Sequence, residues 1–216
     1  MRVAFFDVDH TITRHSTAWH FLLLGAKRGL FPVRSLFLVP YYFVLYRFGR
    51  LRGDIFSRDF PYLKGKTRER LQTISRASFE YSLMDDIHAE ARALIKQLKA
   101  SGVKIVLATS SIDIIVEPLA EYLEVDGLIA NSFEFHDGVS TGRFLAAPVF
   151  GAEKRRRAIE YAEREGIRPD DCTFYSDSIN DLPLLEAVGH PVVVNPDGRL
   201  RRLSARKGWK NVRFGR

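Results

Sequence analysis

Two aspartates stand two residues apart in FFDVDHT, Asp7 and Asp9. On an extended backbone that spacing puts both side chains on one side. Carboxylates held together repel, so the pair calls for a cation or a shared proton. A second acidic pair, Asp177 and Asp181, lies in YSDSINDLPLL. Hard oxygen donors of this kind, with no His or Cys cluster beside them in the sequence, suit Mg²⁺, which prefers one or two protein carboxylates plus substrate phosphate. Thr109 opens the TSS triplet, where a hydroxyl and neighbouring amides can donate to phosphate oxygens, and Lys154 opens KRRRAIEYAERE. Each feature alone also has a plainer reading. DxDxT suits a solvated turn, Thr109 and Asp181 suit helix caps, and Lys154 suits a solvated helix face.

The elements that would bring these residues together are legible from hydrophobic patterning. Three short apolar runs, Val3 to Phe6, Lys104 to Ala108 and Cys172 to Ser176, each end at a polar residue: Asp7, Thr109 and Asp177. They read as buried strands. Helical spacing covers Ala89 to Ala100, Val116 to Leu123 and Lys154 to Glu165, with Gly102 and Gly166 closing the first and last. Strands alternating with helices predict an α/β fold, a parallel sheet covered on both faces. In such a sheet ligands bind beyond the carboxyl ends of the strands, which is where Asp7, Thr109 and Asp177 fall.

Residues 13–85 interrupt the rhythm with helical stretches, Ala18 to Lys27 and Arg68 to Tyr81, and no clear strand. The reading is a helical cap inserted after the first strand, at 13–85, over a core of 1–12 and 86–216. Turn signals at Asp137-Gly138 and Thr141-Gly142 predict a β-hairpin within 131–148.

Composition excludes more than it identifies. The chain has 216 residues, 46% hydrophobic and 27% charged, which argues against disorder or a disulfide framework. One cysteine, Cys172, rules out an internal disulfide and a multi-cysteine zinc site. The acids at Asp7 and Asp9 interrupt any secretory h-region, and the longest uncharged apolar stretch, Leu36 to Tyr46, is eleven residues long. That is well short of the ~20 needed to cross a bilayer, so a cytoplasmic location is expected. Of the 33 basic residues, eight lie in 199–216 with no acid among them, leaving 25 against 26 acidic residues elsewhere. The net charge of +7 therefore belongs to the C-terminal segment, read as a solvated tail or helix face, or else as a contact for an anionic membrane or RNA.

FFDVDHT, IVLATSS, Lys154 and YSDSINDLPLL, in that order, resemble the haloacid dehalogenase superfamily of phosphatases and phosphotransferases. The helical insertion resembles its phosphoserine-phosphatase-like branch. The resemblance implies a Rossmann-like parallel sheet with an α-helical cap and a Mg²⁺-dependent phosphomonoesterase. Asp7 would be the nucleophile that becomes an aspartyl-phosphate, and Asp9 the acid and base. It implies Mg²⁺ on the Asp7 carboxylate, the Asp9 carbonyl and Asp177, supported by Asp181. Thr109 and Lys154 would hold the phosphoryl oxygens, assisted by Asn180.

Two positions depart from the family pattern. His10 stands where a small residue is usual, and reads as a packed or exposed histidine or as an added substrate contact. Ser16 stands where phosphoserine-specific members carry a glutamate for the substrate ammonium, which argues against phosphoserine. The cap instead has LFPVRSLFLVPYYFVLYRFGRLR, flanked by Arg34, Arg47, Arg50 and Arg52. This stretch reads as cap core, subunit contact or a surface for lipid, so the expected substrate is a small or lipid-linked organic phosphate. A peripheral contact with anionic membrane accompanies the lipid reading, nucleic acid is not expected as partner, and the pattern fixes no oligomeric state. The competing reading, a non-catalytic membrane- or RNA-binding protein, leaves the complete acidic set without a purpose.

Overall fold

A computed structural model of the chain describes residues 2–33, 36, 60 and 62–215. The chain forms β1 (Arg2–Phe6), α1 (Thr17–Lys27), α2 (Arg68–Ser78), α3 (Ala89–Ala100), β2 (Val103–Ile112), α4 (Asp113–Leu123) and β3 (Gly127–Asn131). It continues through β4 (Phe133–His136), β5 (Val139–Phe144), α5 (Ala152–Arg164), β6 (Cys172–Ser176), α6 (Leu182–Leu185), β7 (His190–Val194), α7 (Gly198–Lys207) and β8 (Lys210–Val212).

Six strands pair in the order β3-β2-β1-β6-β7-β8, all parallel. The chain builds outward from β1 on one side, then returns to lay β6 on the other. The direction of winding therefore reverses at β1, and connections diverge there to leave a crevice at the carboxyl ends. Phe6 pairs with Leu107 of β2 and Tyr175 of β6, so Asp7, Thr109 and Asp177 stand at nearly the same height across the sheet.

Both faces of the sheet are buried, as continuous apolar runs require. Ala4, Phe6, Ile105, Leu107 and Val194 pack with Ala91, Ile95, Val116 and Leu119 of α3 and α4. Val3, Phe5, Val106, Phe174 and Val193 pack on the other face with Ala158 and Ala162 of α5, Leu184 and Leu185 of α6, and Leu200 of α7.

Three expectations need revision. β2 does not stop at Ala108 but runs to Ile112, with a shift of register against β3 between Ala108 and Ile112. The TSS triplet thus lies in an irregularity, a device that re-aims side chains beside functional sites. α4 starts at Asp113 rather than Val116, because Ile114 and Ile115 continue the β-branched pattern of the strand and hide the change of period. Of the two plain readings of the basic C-terminal segment, the helix face holds and the loose tail does not. Asp197 caps α7 through the amides of Arg199 and Leu200, α7 buries Leu200 and Ser204, and β8 extends the sheet. Its arginines occupy the exposed helix face.

The described parts of the segment after β1 are largely helical, as expected. α2 continues through a π-helical turn, Phe79–Leu83, and a last turn, Met84–Asp86. The chain enters and leaves this insertion at adjacent points: Thr13 bridges both Asp9 and Ile87, and the His88 amide donates to the Ile12 carbonyl. A third core joins Phe21, Leu30, Phe31, Leu71 and Ile74 of the insertion to Ile114, Ile115 and Phe133. The hairpin β4–β5 is therefore packed with the cap. The Gly65 amide donates to Ser140 and the Arg68 amide to Gly138, while Phe60 sits within 5.0 Å of Phe144 and 5.4 Å of Phe133. The aromatic stretch with Arg34, Arg47, Arg50 and Arg52 lies almost wholly outside the described residues. Among the described residues, no helix is long and apolar enough to cross a membrane.

Candidate active site

Lys154 carries the geometry of the site. It lies in the first turn of α5 and is fully buried. Its Nζ donates to Asp7 Oδ1 at 3.0 Å and pairs with Asp181 Oδ1 at 2.7 Å. The reading of Lys154 as a solvated face therefore fails, because a buried ammonium is tolerated only where carboxylates meet it. The surface of α5 is left to its arginines, with Arg156 and Arg157 pairing with Glu153.

Asp181 does not act as a side-chain cap for α6. One oxygen meets Lys154 and the other accepts from Ser176 Oγ at 2.7 Å. It thus anchors the lysine from the β6 side. The arrangement is electrostatically loaded. Burial, joined by Asp181 and Asp9, outweighs Lys154 and pushes the Asp7 carboxyl up to about 7. Burial also opposes the Lys154 ammonium, but Asp181 and Asp7 more than offset it and hold its acidity below that of a free lysine.

Asp9 faces the cap. Its carboxylate accepts from the Thr17 amide at 2.8 Å and from Ser16 Oγ at 3.3 Å, so the start of α1 rests on it. Thr17 Oγ1 lies 2.9 Å from Ser111 Oγ, tying the same helix start to the TSS triplet. Thr109 is buried, and its Oγ1 accepts from the Ser111 amide at 3.0 Å, four residues before α4 begins. It shapes the bulge and does not cap the helix. Asp177 is buried at the end of β6, and its carbonyl accepts from the Asp197 amide. Asn180 lies in the short turn of 3₁₀ helix, Ile179–Asp181, between Asp177 and α6. His10 adopts φ 65° and its Nδ1 lies 2.9 Å from the Arg14 carbonyl, a local turn contact.

The sequence reading did not anticipate Ser16 and Thr17 as partners of Asp9, or Ser176 as partner of Asp181. Nor did it single out two buried hydroxyls without hydrogen-bond partners, Thr11 Oγ1 and Ser110 Oγ. They belong to the DxDxT and TSS motifs, and that membership was the available signal. Cys172 is buried, which pushes its thiol up to about 11 and leaves it inert.

Burial outweighs the one ammonium that Asp7 shares with Asp181, so Asp7 titrates near neutrality. Buried carboxylates in this state fit a hard divalent cation, whose charge favours the ionised form and which takes oxygen ligands.

The haloacid dehalogenase-like hydrolase family matches residues 4–186. Phosphoserine phosphatase SerB1 of Mycobacterium tuberculosis is 31% identical over 96% of this chain and 69% of its own length. A histidinol-phosphatase of Neisseria meningitidis is 30% identical over 98% of both chains. A protein of unknown function from Bordetella pertussis superposes with a TM-score of 0.84 at 26% identity, covering 98% of this chain and 97% of that one. A substrate-bound phosphoserine phosphatase shares the fold, with a TM-score of 0.70 at 20% identity over 93% of this chain and 89% of its own.

Proposed function

The chain belongs to the haloacid dehalogenase-like hydrolases, in their phosphoserine-phosphatase-like branch, and we propose that it hydrolyses small phosphomonoesters through an aspartyl-phosphate formed on Asp7. The observation that carries this reading is the buried Lys154 gripping Asp7 and Asp181. The residue after β1, the first turn of α5 and the 3₁₀ turn that follows β6 meet there, as three separate motifs of a phosphoryl-transfer site require.

Asp7 attacks phosphorus, and the bond from phosphorus to the ester oxygen breaks. Asp9 delivers its proton to the departing alkoxide, then takes a proton from water. That water attacks the aspartyl-phosphate and releases inorganic phosphate, restoring the Asp7 carboxylate. Lys154 has three donors, of which two go to Asp7 and Asp181, leaving the third for a phosphoryl oxygen. Thr109 and the amides of the bulge hold the remaining oxygens, with Asn180 assisting. Mg²⁺, held by the Asp7 carboxylate, the Asp9 carbonyl and Asp177, would supply the charge that lets an anion approach a phosphate. Asp181, with both oxygens engaged, supports this set through Lys154.

The insertion 13–85 serves as the cap and 1–12 with 86–216 as the catalytic core. Relatives named for phosphoserine and for histidinol phosphate favour a small phosphate ester carrying an amine. Ser16 donates to Asp9 and places no acid for a substrate ammonium, so phosphoserine is expected to be poor. A lipid-linked phosphate remains the alternative substrate.

A panel containing histidinol phosphate, phosphoserine and a short-chain lipid phosphate, assayed with Mg²⁺ and with EDTA, tests the reading. Expected is Mg²⁺-dependent phosphate release, with a phosphoryl group found on the Asp7 peptide after acid quench and absent in Asp7→Asn. Release that is undiminished in EDTA, or in Asp7→Asn, would overturn it.

A further inference from the structure

Among the described residues, one cluster outside the proposed catalytic set has the composition of a metal centre: His15, His20 and Asp86, whose ligand atoms all lie within 4.8 Å of one another. His15 Nδ1 is 2.7 Å from Asp86 Oδ1, and His20 Nε2 is 3.2 Å from Asp86 Oδ2. Tetrahedral Zn²⁺, with bonds of about 2.0–2.1 Å to nitrogen and oxygen, separates its ligand atoms by about 3.3 Å. The separation of His20 Nε2 from Asp86 Oδ2 is already close to that length, and the exposed His15 ring, now on the other oxygen, has room to turn toward an ion held by that pair.

The orientation of His20 points the same way. Its Nδ1 lies 2.7 Å from Ser82 Oγ, which fixes the ring from its far side and turns Nε2 toward Asp86. A ring nitrogen fixed by a partner on its far side is also how metal-binding histidines are oriented.

The three residues come from separate parts of the chain. His15 lies where the chain crosses from β1 into the cap, His20 is one turn inside α1, and Asp86 ends the long helical run of α2 just before the chain crosses back. His15 has 68% of its side chain exposed, while His20 and Asp86 are nearly covered. An ion would therefore enter from the His15 side, with solvent completing its coordination. We propose that His15, His20 and Asp86 bind a borderline divalent ion, of which Zn²⁺ is the type, at the hinge between cap and sheet. This site is separate from the oxygen-only Mg²⁺ set, and its ion braces the two crossings.

The experiment is a Zn²⁺ titration of the intact protein against a chromophoric chelator in saturating Mg²⁺, repeated with Co²⁺ for its visible absorption. One tight equivalent per chain is expected in wild type. Ser82→Ala, which removes only the partner of His20, should weaken it by about 10- to 100-fold. His15→Ala, at an exposed position where folding is not at risk, should weaken it further and abolish the Co²⁺ band. Asp177→Ala should keep the tight equivalent. The proposal is overturned if no tight equivalent appears, if His15→Ala leaves it unchanged, or if Asp177→Ala removes it.

Discussion

Two buried aspartates, Asp7 at the strand ends and Asp86 at the cap hinge, face nitrogen bases at similar distances and shift in opposite directions. Asp7 has one cation, Lys154, shared with a second carboxylate, and is enclosed on all sides, so it rises to about 7. Asp86 is less enclosed and collects donors from two histidines and a backbone amide, so it falls. The hinge acid has nitrogen groups at both of its oxygens. The strand-end acid is left short of positive charge, the condition in which a phosphate site takes up a divalent ion.

The largest effect should come from removing the one cation at the strand ends. Lys154→Met leaves Asp7 and Asp181 buried together without a counter-charge, and breaking a buried pair in this way costs about 3–5 kcal/mol. Urea unfolding should show that loss, together with absence of turnover. His15→Ala, which leaves Asp86 its His20 contact and the residue-15 amide, should cost less, about 1 kcal/mol for one lost hydrogen bond. Equal losses from the two variants would erase the distinction between the regions.

Asp9 joins the two regions, since its backbone follows β1 and its carboxylate carries the start of α1. Asp9→Asn keeps an acceptor for the Thr17 amide but loses the proton. Turnover should therefore fall by about 10² to 10⁴ with the unfolding midpoint nearly unchanged. A large drop in stability with little change in kcat would make Asp9 a structural cap instead.

The opposite shifts also predict opposite pH dependences in chelator. Between the unfolded value of 3.8 and about 7, native Asp7 holds a proton that the unfolded chain has released. Its contribution to stability is full below the lower value and is lost as pH rises through about 7. Asp86 does the reverse: its contribution is full above its unfolded value of 3.8 and is lost as pH falls through its lower folded value. Thermal unfolding in EDTA should thus show stability declining from about pH 4 to pH 7, with Mg²⁺ restoring it most at and above pH 7. A Mg²⁺ effect that is flat with pH would separate the ion from Asp7.

Much of the strand-end region is readable from sequence because each motif residue directly follows a continuous apolar run. Val3 to Phe6 and Cys172 to Ser176 announce a strand and place Asp7 and Asp177 at its end. α3 was legible to the residue, since its apolar spacing is unbroken and Gly102 closes it. β7 escaped because Pro191 sits in a short run, and β8 because three residues hold no period. Lys154 could not be told from the arginines beside it without the fold, since burial is a tertiary property. The hinge cluster was illegible for the same reason, with 66 residues separating His20 from Asp86. The haloacid dehalogenase resemblance supplied the order of the motifs but not the attachment of the hairpin to the cap.

That attachment gives the smallest and most local expectation. Gly142 in β5 has φ +81°, and an added Cβ would lie 2.9 Å from the Phe60 carbonyl oxygen and 3.1 Å from Lys64 Cβ. The same glycine's carbonyl accepts from the Phe60 amide at 2.7 Å, so the backbone there cannot swing aside without losing the bond. Gly142→Ala must bear the left-handed conformation, about 1–2 kcal/mol, and push residues 60–64 away from the hairpin. For a chain of this size that corresponds to a melting point lower by about 2–8 °C. The strain falls on the third core, while Asp7, Lys154 and Asp181 belong to the sheet. With 13–85 as the proposed cap over the strand ends, substrate affinity should weaken and kcat should stay near that of wild type. A kcat loss as deep as that of Asp9→Asn would show that packing of the hairpin against the cap, and not the Thr17 and Ser16 hydrogen bonds alone, sets where Asp9 stands.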